Sequence, residues 1–277
     1  MMMEGAPLAA RIRAAVAEEA RTLGGVGLAT VLVGDDPASE IYIGRKHAAA
    51  AEAGIAASDL RLPATISEVE LLEMVALLNA DDAIDALLVQ LPLPEHIDED
   101  RVARAIHPFK DVDGLHPDNA GELYLGRPRL VPATAVGILA LLAEYRIELA
   151  GARAVVVGRS AIVGKPTAQL LLHANATVTV CHSRTQDLAR HTLDAEVLVV
   201  AVGEAEVVTA DMIKTGGTVV DVGVNRTPSG LVGDVEPDAA EVAAHLTPVP
   251  GGVGPMTIAC LLQNAVNCAR LRRAAGA

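Results

Sequence analysis

Short runs of Val, Leu and Ile recur along this chain, separated by longer stretches of helical period. That alternation constrains the fold more than any other feature. Apolar runs too short for helices read as strands buried on both faces. Strands separated by helices return in the same direction, which implies α/β architecture with parallel sheets and right-handed crossovers. Strands are expected at 27–33, 84–90, 154–157, 177–180, 197–202 and 218–222, and helices at 7–22, 38–53, 68–79, 134–145, 163–173 and 256–273. Hydrophobic residues make up 51% but aromatics only 1%, so the core must be built from Ala, Val, Leu and Ile.

A length of 277 residues suits two modest α/β domains or one large one. Residues 111–119 and 126–132 are polar and turn-rich, which places a boundary near 133. The expected division is 1–133 plus 254–277 for one domain and 134–253 for a second, Rossmann-like one, the last helix returning to the first domain as a tie.

A net charge of −13 argues against nucleic acid and anionic membrane surfaces as partners. Any anionic ligand must be held by local Lys, Arg or helix N-termini. The three cysteines, Cys181, Cys260 and Cys268, form no CxxC pair and read as reduced thiols of a cytoplasmic protein. The first twenty residues read as an amphipathic helix without the apolar core of a signal peptide. The run from Leu246 to Ala269 lacks Asp, Glu, Lys and Arg, but Pro and Gly fill its first half, so it reads as a loop followed by a helix rather than a membrane span.

AVVVGRSAIVGKPTAQLLL reads as a strand, a glycine turn and a helix. Gly158 stands where the chain bends and Gly164 where the helix presses on the sheet, while Ser160 occupies the place of the second glycine of GxGxxG. Such a turn presents N–H groups to a pyrophosphate, although an ordinary βα turn shares these features. The next strand ends in Cys181-His182-Ser183-Arg184-Thr185, with no acidic residue to hold a ribose 2′-hydroxyl. Arg159 and Arg184 suit a 2′-phosphate instead, so the residues point to NADP rather than NAD.

In the first half, Ser39, Tyr42 and Lys46 lie on nearly one face of a helix that follows a strand. A lone lysine is usually a solvated charge, but a Tyr–Lys pair just past a strand end is unusual in a chain with three tyrosines. Gln90 ends another strand and needs polar partners if buried. Asp111 and Asp113 form a DxD that lacks the Gly and Glu of a Ca²⁺ loop, and the eight histidines form no HxxxH, so no metal is expected.

VGDDPASEIYIGRK, VQLPLP, KDVDGLHP, GRSAIVGKP, DVGVN and TPVPGGVGPMT occur here in the order found in the bifunctional methylenetetrahydrofolate dehydrogenase/methenyltetrahydrofolate cyclohydrolase family, which the chain resembles over nearly its whole length. The resemblance implies a homodimeric, NADP-dependent enzyme of tetrahydrofolate interconversion, serving purine, methionine and histidine biosynthesis. It implies that Lys46 is catalytic, that Tyr42 packs on the folate and positions Lys46, that Gln90 bonds the lysine and that Asp113 grips the pterin edge. Ser39, Val89, Leu91, Pro250, Gly251, Gly252, Gly254 and Pro255 would complete the folate site. Gly158, Arg159, Ser160, Ser183 and Val224 would contact NADP. The chain departs from the family at Ala133 and Ala135, where PCTP is frequent, at Ala48, where a second lysine is frequent, and at Glu4-Gly5-Ala6 in place of LDGK. Two other readings compete: a shikimate dehydrogenase-like oxidoreductase, and a non-catalytic NADP sensor.

Overall fold

The computed structural model describes residues 1–35, 37–228 and 230–276, the side chains of 37–42 excepted. The chain divides into two compact units, one of residues 11–133 and 258–277, the other of 1–10 and 134–257. Where the sequence suggested that residues 1–10 join the first unit, they sit in the second. Met2 bridges to Leu246 there, and the Gly5 N–H donates to Gly251 O at 2.9 Å.

α1 (Ala6–Thr22) starts in the second unit and leads into the first. There β1 (Val26–Val33) is buried at all eight positions, as its largely apolar run leads one to expect. α2 (Pro37–Glu52), β2 (Ile55–Leu62), α3 (Glu68–Ala80), β3 (Ala86–Val89), α4 (Glu99–Ala105) and α5 (Pro117–Tyr124) follow. The sheet is parallel in the order β2-β1-β3, with Val31 opposite both Leu60 and Val89. β2 escaped the sequence reading because it is a half-exposed edge strand carrying Asp59 and Arg61 between apolar residues. α3 opens on a capping box in which Ser67 and Glu70 satisfy each other's N–H groups. Its last carbonyls receive the buried Lys110 ammonium, which donates to Leu78 O at 3.0 Å and Asp81 O at 2.7 Å.

The second unit contains α6 (Ala133–Glu144), β4 (Arg153–Val157), α7 (Gly164–His173), β5 (Thr177–Cys181), α8 (Leu188–Thr192), β6 (Val197–Val200) and β7 (Thr218–Asp221). The hairpin β8 (Asn225–Thr227) and β9 (Gly230–Val232), then α9 (Ala239–Val242), β10 (His245–Leu246) and α10 (Val253–Ala274) complete it, α10 continuing into the first unit. Five parallel strands run in the order β10-β7-β6-β4-β5, a doubly wound arrangement whose order reverses between β4 and β6. Its core is aliphatic: Val155, Val157, Leu198, Val200 and Val219 pack with Val235 and Leu246. α6 and α10 approach closely here, since a Cβ on Gly137 would stand 2.8 Å from Met256 Cβ.

All three cysteines are buried. Burial pushes the Cys181 and Cys268 thiols up and takes Cys260 to about 12. Among the described residues no helix is long and apolar enough to cross a membrane.

Candidate active site

In the first unit the strand order turns at β1, with β3 on one side and β2 on the other, which makes the carboxyl ends of β1 and β3 the place to look for a site. α2 leaves β1 and brings Lys46 to that edge. Lys46 is buried, at 4% exposure, and its Nζ donates to Gln90 Oε1 at 3.0 Å. Gln90 is held by its own N–H, which donates to Val31 O at 2.8 Å, and by its Nε2, which donates to Leu91 O at 2.7 Å. The amide therefore has no freedom to leave the lysine. The adjacent His47 anchors the helix to the other strands, its Nε2 lying 3.0 Å from Asp59 Oδ1 and 3.4 Å from Thr30 Oγ1. Ser39 and Tyr42 belong to the first turns of α2, and their side chains lie outside the described residues.

Asp113 arrives from the loop after α4. Leu87 N–H donates to Lys110 O at 2.7 Å, which lays residues 110–111 beside β3. The Asp111 carboxylate then folds the loop: it accepts the N–H groups of Leu115 at 3.1 Å and His116 at 2.7 Å, and the Asn119 amide at 2.8 Å. Asn264 of α10 donates to Val112 O at 2.9 Å and Val131 O at 2.8 Å. Gly114 sits at φ +67, and a Cβ there would stand 2.9 Å from the Val131 carbonyl carbon. Asp111 is thus a turn-former rather than a ligand, and the described residues contain no group of three or more His, Cys, Asp or Glu able to hold a metal.

Lys46 and Asp113 perturb each other. Burial pulls the Lys46 amine below the ordinary lysine value, and the Asp113 charge opposes that shift. Burial pushes the Asp113 carboxyl up to about 6, with Lys46 pulling it down and Asp111 pushing it further up. A desolvated amine, a neutral amide locked to it and a carboxyl that titrates near neutrality make a site able to move protons. Val89 is buried and Leu91 half-buried at the same strand end. Sequence reasoning missed Lys110, Asn119 and Asn264 as its scaffold. Each acts through backbone carbonyls or a distant carboxylate, and no local spacing announces that.

In the second unit the Gly158 turn closes over the strand ends where the order reverses. Its N–H donates to Cys181 O at 2.9 Å, drawing the 182–185 turn toward it. Gly158 adopts φ +121, and a Cβ there would overlap Ala201 O just past β6. A Cβ on Gly164 would overlap Gly158 O, so this glycine lets α7 press on the turn rather than on the sheet. The Ser160 hydroxyl accepts the N–H groups of Val163 at 3.2 Å and Gly164 at 3.4 Å, capping the helix start. Arg159, Ser183 and Arg184 are exposed, and no ion pair is described for either guanidinium. His182 and Thr185 tie the second turn, His182 N–H donating to Thr185 Oγ1 at 2.9 Å. Two exposed cations beside a turn without acidic residues, with no ion pair among the described residues, fit a dinucleotide bearing an extra phosphate. Val224, 60% exposed, lies past the end of β7.

The Pro250–Pro255 segment also belongs to the second unit. Gly252 N–H donates to Pro248 O at 2.8 Å, Gly251 has φ +112, and the Val249–Pro250 bond is cis. A Cβ on Gly5 would overlap Gly252 O, so Gly5 is held by close approach where the family pattern LDGK is otherwise lost. Pro250 and Gly254 are exposed, Gly251 and Pro255 half-buried and Gly252 buried. Ala133 and Ala135 are both buried.

Residues 3–113 match the family model of the tetrahydrofolate dehydrogenase/cyclohydrolase catalytic domain, and residues 132–273 that of the NAD(P)-binding domain of the same family. The bifunctional protein FolD of Acidiphilium cryptum (strain JF-5) is 56% identical over 275 residues, covering 98% of this chain and 99% of the relative. Among solved structures, the bifunctional FolD methylenetetrahydrofolate dehydrogenase/cyclohydrolase of Campylobacter jejuni superposes with a TM-score of 0.96 at 44% identity, covering 98% of this chain and 99% of that one. The methylenetetrahydrofolate dehydrogenase-cyclohydrolase of Trypanosoma brucei, solved with NADP cofactor and an inhibitor, gives 0.94 at 38% identity, covering 100% of this chain and 99% of that one.

Proposed function

The chain belongs to the tetrahydrofolate dehydrogenase/cyclohydrolase family, and from that premise we propose that it oxidises 5,10-methylenetetrahydrofolate to the methenyl form with NADP and hydrolyses that product to 10-formyltetrahydrofolate. The match of both halves to one family decides against a shikimate dehydrogenase-like enzyme. The intact Lys46, Gln90 and Asp113 cluster decides against a cofactor sensor.

NADP, when bound, would supply the acceptor for the hydride of the bridging methylene carbon. Gly158, Arg159, Ser160, Ser183, Arg184 and Val224 would hold it, the two arginines suiting its 2′-phosphate. No strong base is needed in this step, because the methenyl cation is stabilised by its flanking nitrogens and alignment provides most of the help. Water then attacks the methenyl carbon. Lys46, its affinity for protons reduced by burial, takes one proton from that water and can return it to the folate N5 as the C–N5 bond breaks, while the remaining hydroxyl proton passes to solvent as the formyl C=O forms, so one proton is released overall. Gln90 keeps the amine aimed without adding charge. Asp113 pairs with the amino-pyrimidine edge of the pterin. By the family resemblance, Ser39, Tyr42, Val89 and Leu91 would contact the folate, and the same resemblance gives a folate role to Pro250, Gly251, Gly252, Gly254 and Pro255.

The observation that carries this reading is the buried Lys46–Gln90 bond with Asp113 as the nearby counter-charge. The test is NADPH formation from methylenetetrahydrofolate, followed by hydrolysis of supplied methenyltetrahydrofolate. Lys46→Met should abolish the hydrolysis while NADP still binds, and wild-type hydrolysis in that variant would remove Lys46 from the mechanism. The family resemblance also supports a cytoplasmic homodimer that feeds formyl-consuming syntheses. The free edge of β5, with Val180 at 41% exposure, is a surface that a second copy would cover.

A further inference from the structure

Two aspartates outside the proposed machinery are buried side by side in the second unit, Asp221 at 4% and Asp234 at 0% exposure. No ion pair is described for either one. Burying two such anions together is costly. Burial pushes Asp221 up to about 6, and the neighbouring Asp234 charge adds to this against three N–H bonds that pull it down.

Their hydrogen bonds say what the arrangement holds. Asp221 Oδ1 accepts the N–H groups of Gly223 at 3.0 Å and Asp234 at 2.9 Å, and its Oδ2 accepts that of Val235 at 3.1 Å. Asp234 Oδ2 accepts the N–H groups of Val202 at 2.7 Å and Gly203 at 2.9 Å, and its Oδ1 accepts the Asn225 amide at 2.9 Å. The two carboxylates therefore gather three pieces of chain: the turn after β6, the turn after β7 and the short segment that follows β9. The glycines of this cluster are spatial requirements. A Cβ on Gly223 would overlap the Asp234 carboxylate, and one on Gly233 would overlap that of Asp221. A tight turn alone would need neither carboxylate, because glycine and backbone bonds suffice to make it.

Both gathered turns leave the carboxyl edge of the sheet, next to the point where strand order reverses, and Ala201, at the start of one, is the residue Gly158 presses on. Between Gly223 and Asn225, both held by the pair, stands the exposed Val224. We propose that Asp221 and Asp234 are positioning residues for the cofactor: a two-carboxylate lock that fixes the turns after β6 and β7 against which NADP lies. The lock rests on the NADP reading above and adds the residues that give the cradle its shape on this side.

Because the chain carries two activities, each can control for the other. Asp234→Asn preserves shape but replaces one acceptor oxygen by a donor facing the Asn225 amide. Asn225→Ala removes a single arm from a half-buried strand and is the milder change. For each variant, NADPH affinity by fluorescence titration, the KM for NADP and the hydrolysis rate of supplied methenyltetrahydrofolate are measured. Asp234→Asn should weaken NADPH about tenfold and raise the KM for NADP to match, the scale of one hydrogen bond to a charged acceptor, with hydrolysis within about twofold of wild type. Asn225→Ala should weaken NADPH about threefold, since it removes the amide's bonds to Asp234 Oδ1 and to Gly233 O but leaves both carboxylates in place, and it decides the matter if Asp234→Asn does not fold. Unchanged NADPH affinity in folded protein, or equal loss of both activities, would overturn the lock. Failure of the wild-type chain to bind NADPH would instead bring down the cofactor reading beneath it.

Discussion

The two clusters proposed for chemistry treat charge in opposite ways. Around Lys46 in the first unit, an amine and a carboxyl are withdrawn from water and each shifts the other's titration. Around Gly158 in the second, Arg159 and Arg184 stand exposed to solvent with no described ion pair. The difference follows from what each must do. A proton carrier needs an altered affinity for protons, and only desolvation or a close partner supplies that. A phosphate grip needs a permanent cation, and burial would only add a desolvation cost before the ligand arrives.

The contrast can be broken most forcefully at the buried end. Lys46→Met should reduce methenyltetrahydrofolate hydrolysis by at least ~100-fold, the scale of a positioned acid–base group, with NADP affinity unmoved. Loss of both together would mean that burial of Lys46 serves the fold rather than the reaction. At the exposed end, Arg159→Ala should weaken NADP about tenfold while NAD hardly changes, since one charge-assisted bond to the 2′-phosphate is lost. Equal weakening of the two cofactors would place Arg159 elsewhere on the dinucleotide.

Titration sharpens the comparison further. Asp113 titrates near 6 in the folded chain against 3.8 ordinarily, so the folded state holds an extra proton between these values. Stability from this group is greatest below 3.8 and is lost as pH rises through about 6. Asp113→Asn should flatten that slope in chemical denaturation. It should also remove the charge that raises Lys46, moving the rising, acid-side limb of the hydrolysis profile at saturating folate to lower pH. A profile that does not move would uncouple the two groups. The smallest effect is expected outside both clusters: Ser67→Ala breaks the α3 capping box and should cost about 1 kcal/mol in thermal unfolding, with the KM for NADP and for folate unchanged.

The sequence made the alternation of strand and helix legible because β1 and β4 are built mainly of aliphatic residues. It hid β2, whose polar residues face out from a sheet edge, and the β8–β9 hairpin, which has three residues in each strand. Lys46 stood out through its pairing with Tyr42 on the helix that follows a strand, and Gln90 because a glutamine ending a buried strand needs polar partners. Asp221 and Asp234 did not. Their partners are backbone N–H groups, which every residue carries, so nothing in side-chain spacing marks them. Gly223 and Gly233 likewise read as ordinary turn glycines until the carboxylates against them are seen.

The sulfur chemistry of this chain has a practical corollary. Cys181, Cys260 and Cys268 are all enclosed, with thiols held in their protonated, unreactive form at neutral pH. A cysteine engineered onto a surface turn would then be the one position open to a maleimide dye or spin label. The native protein could carry a single reporter without first being stripped of its own sulfhydryls.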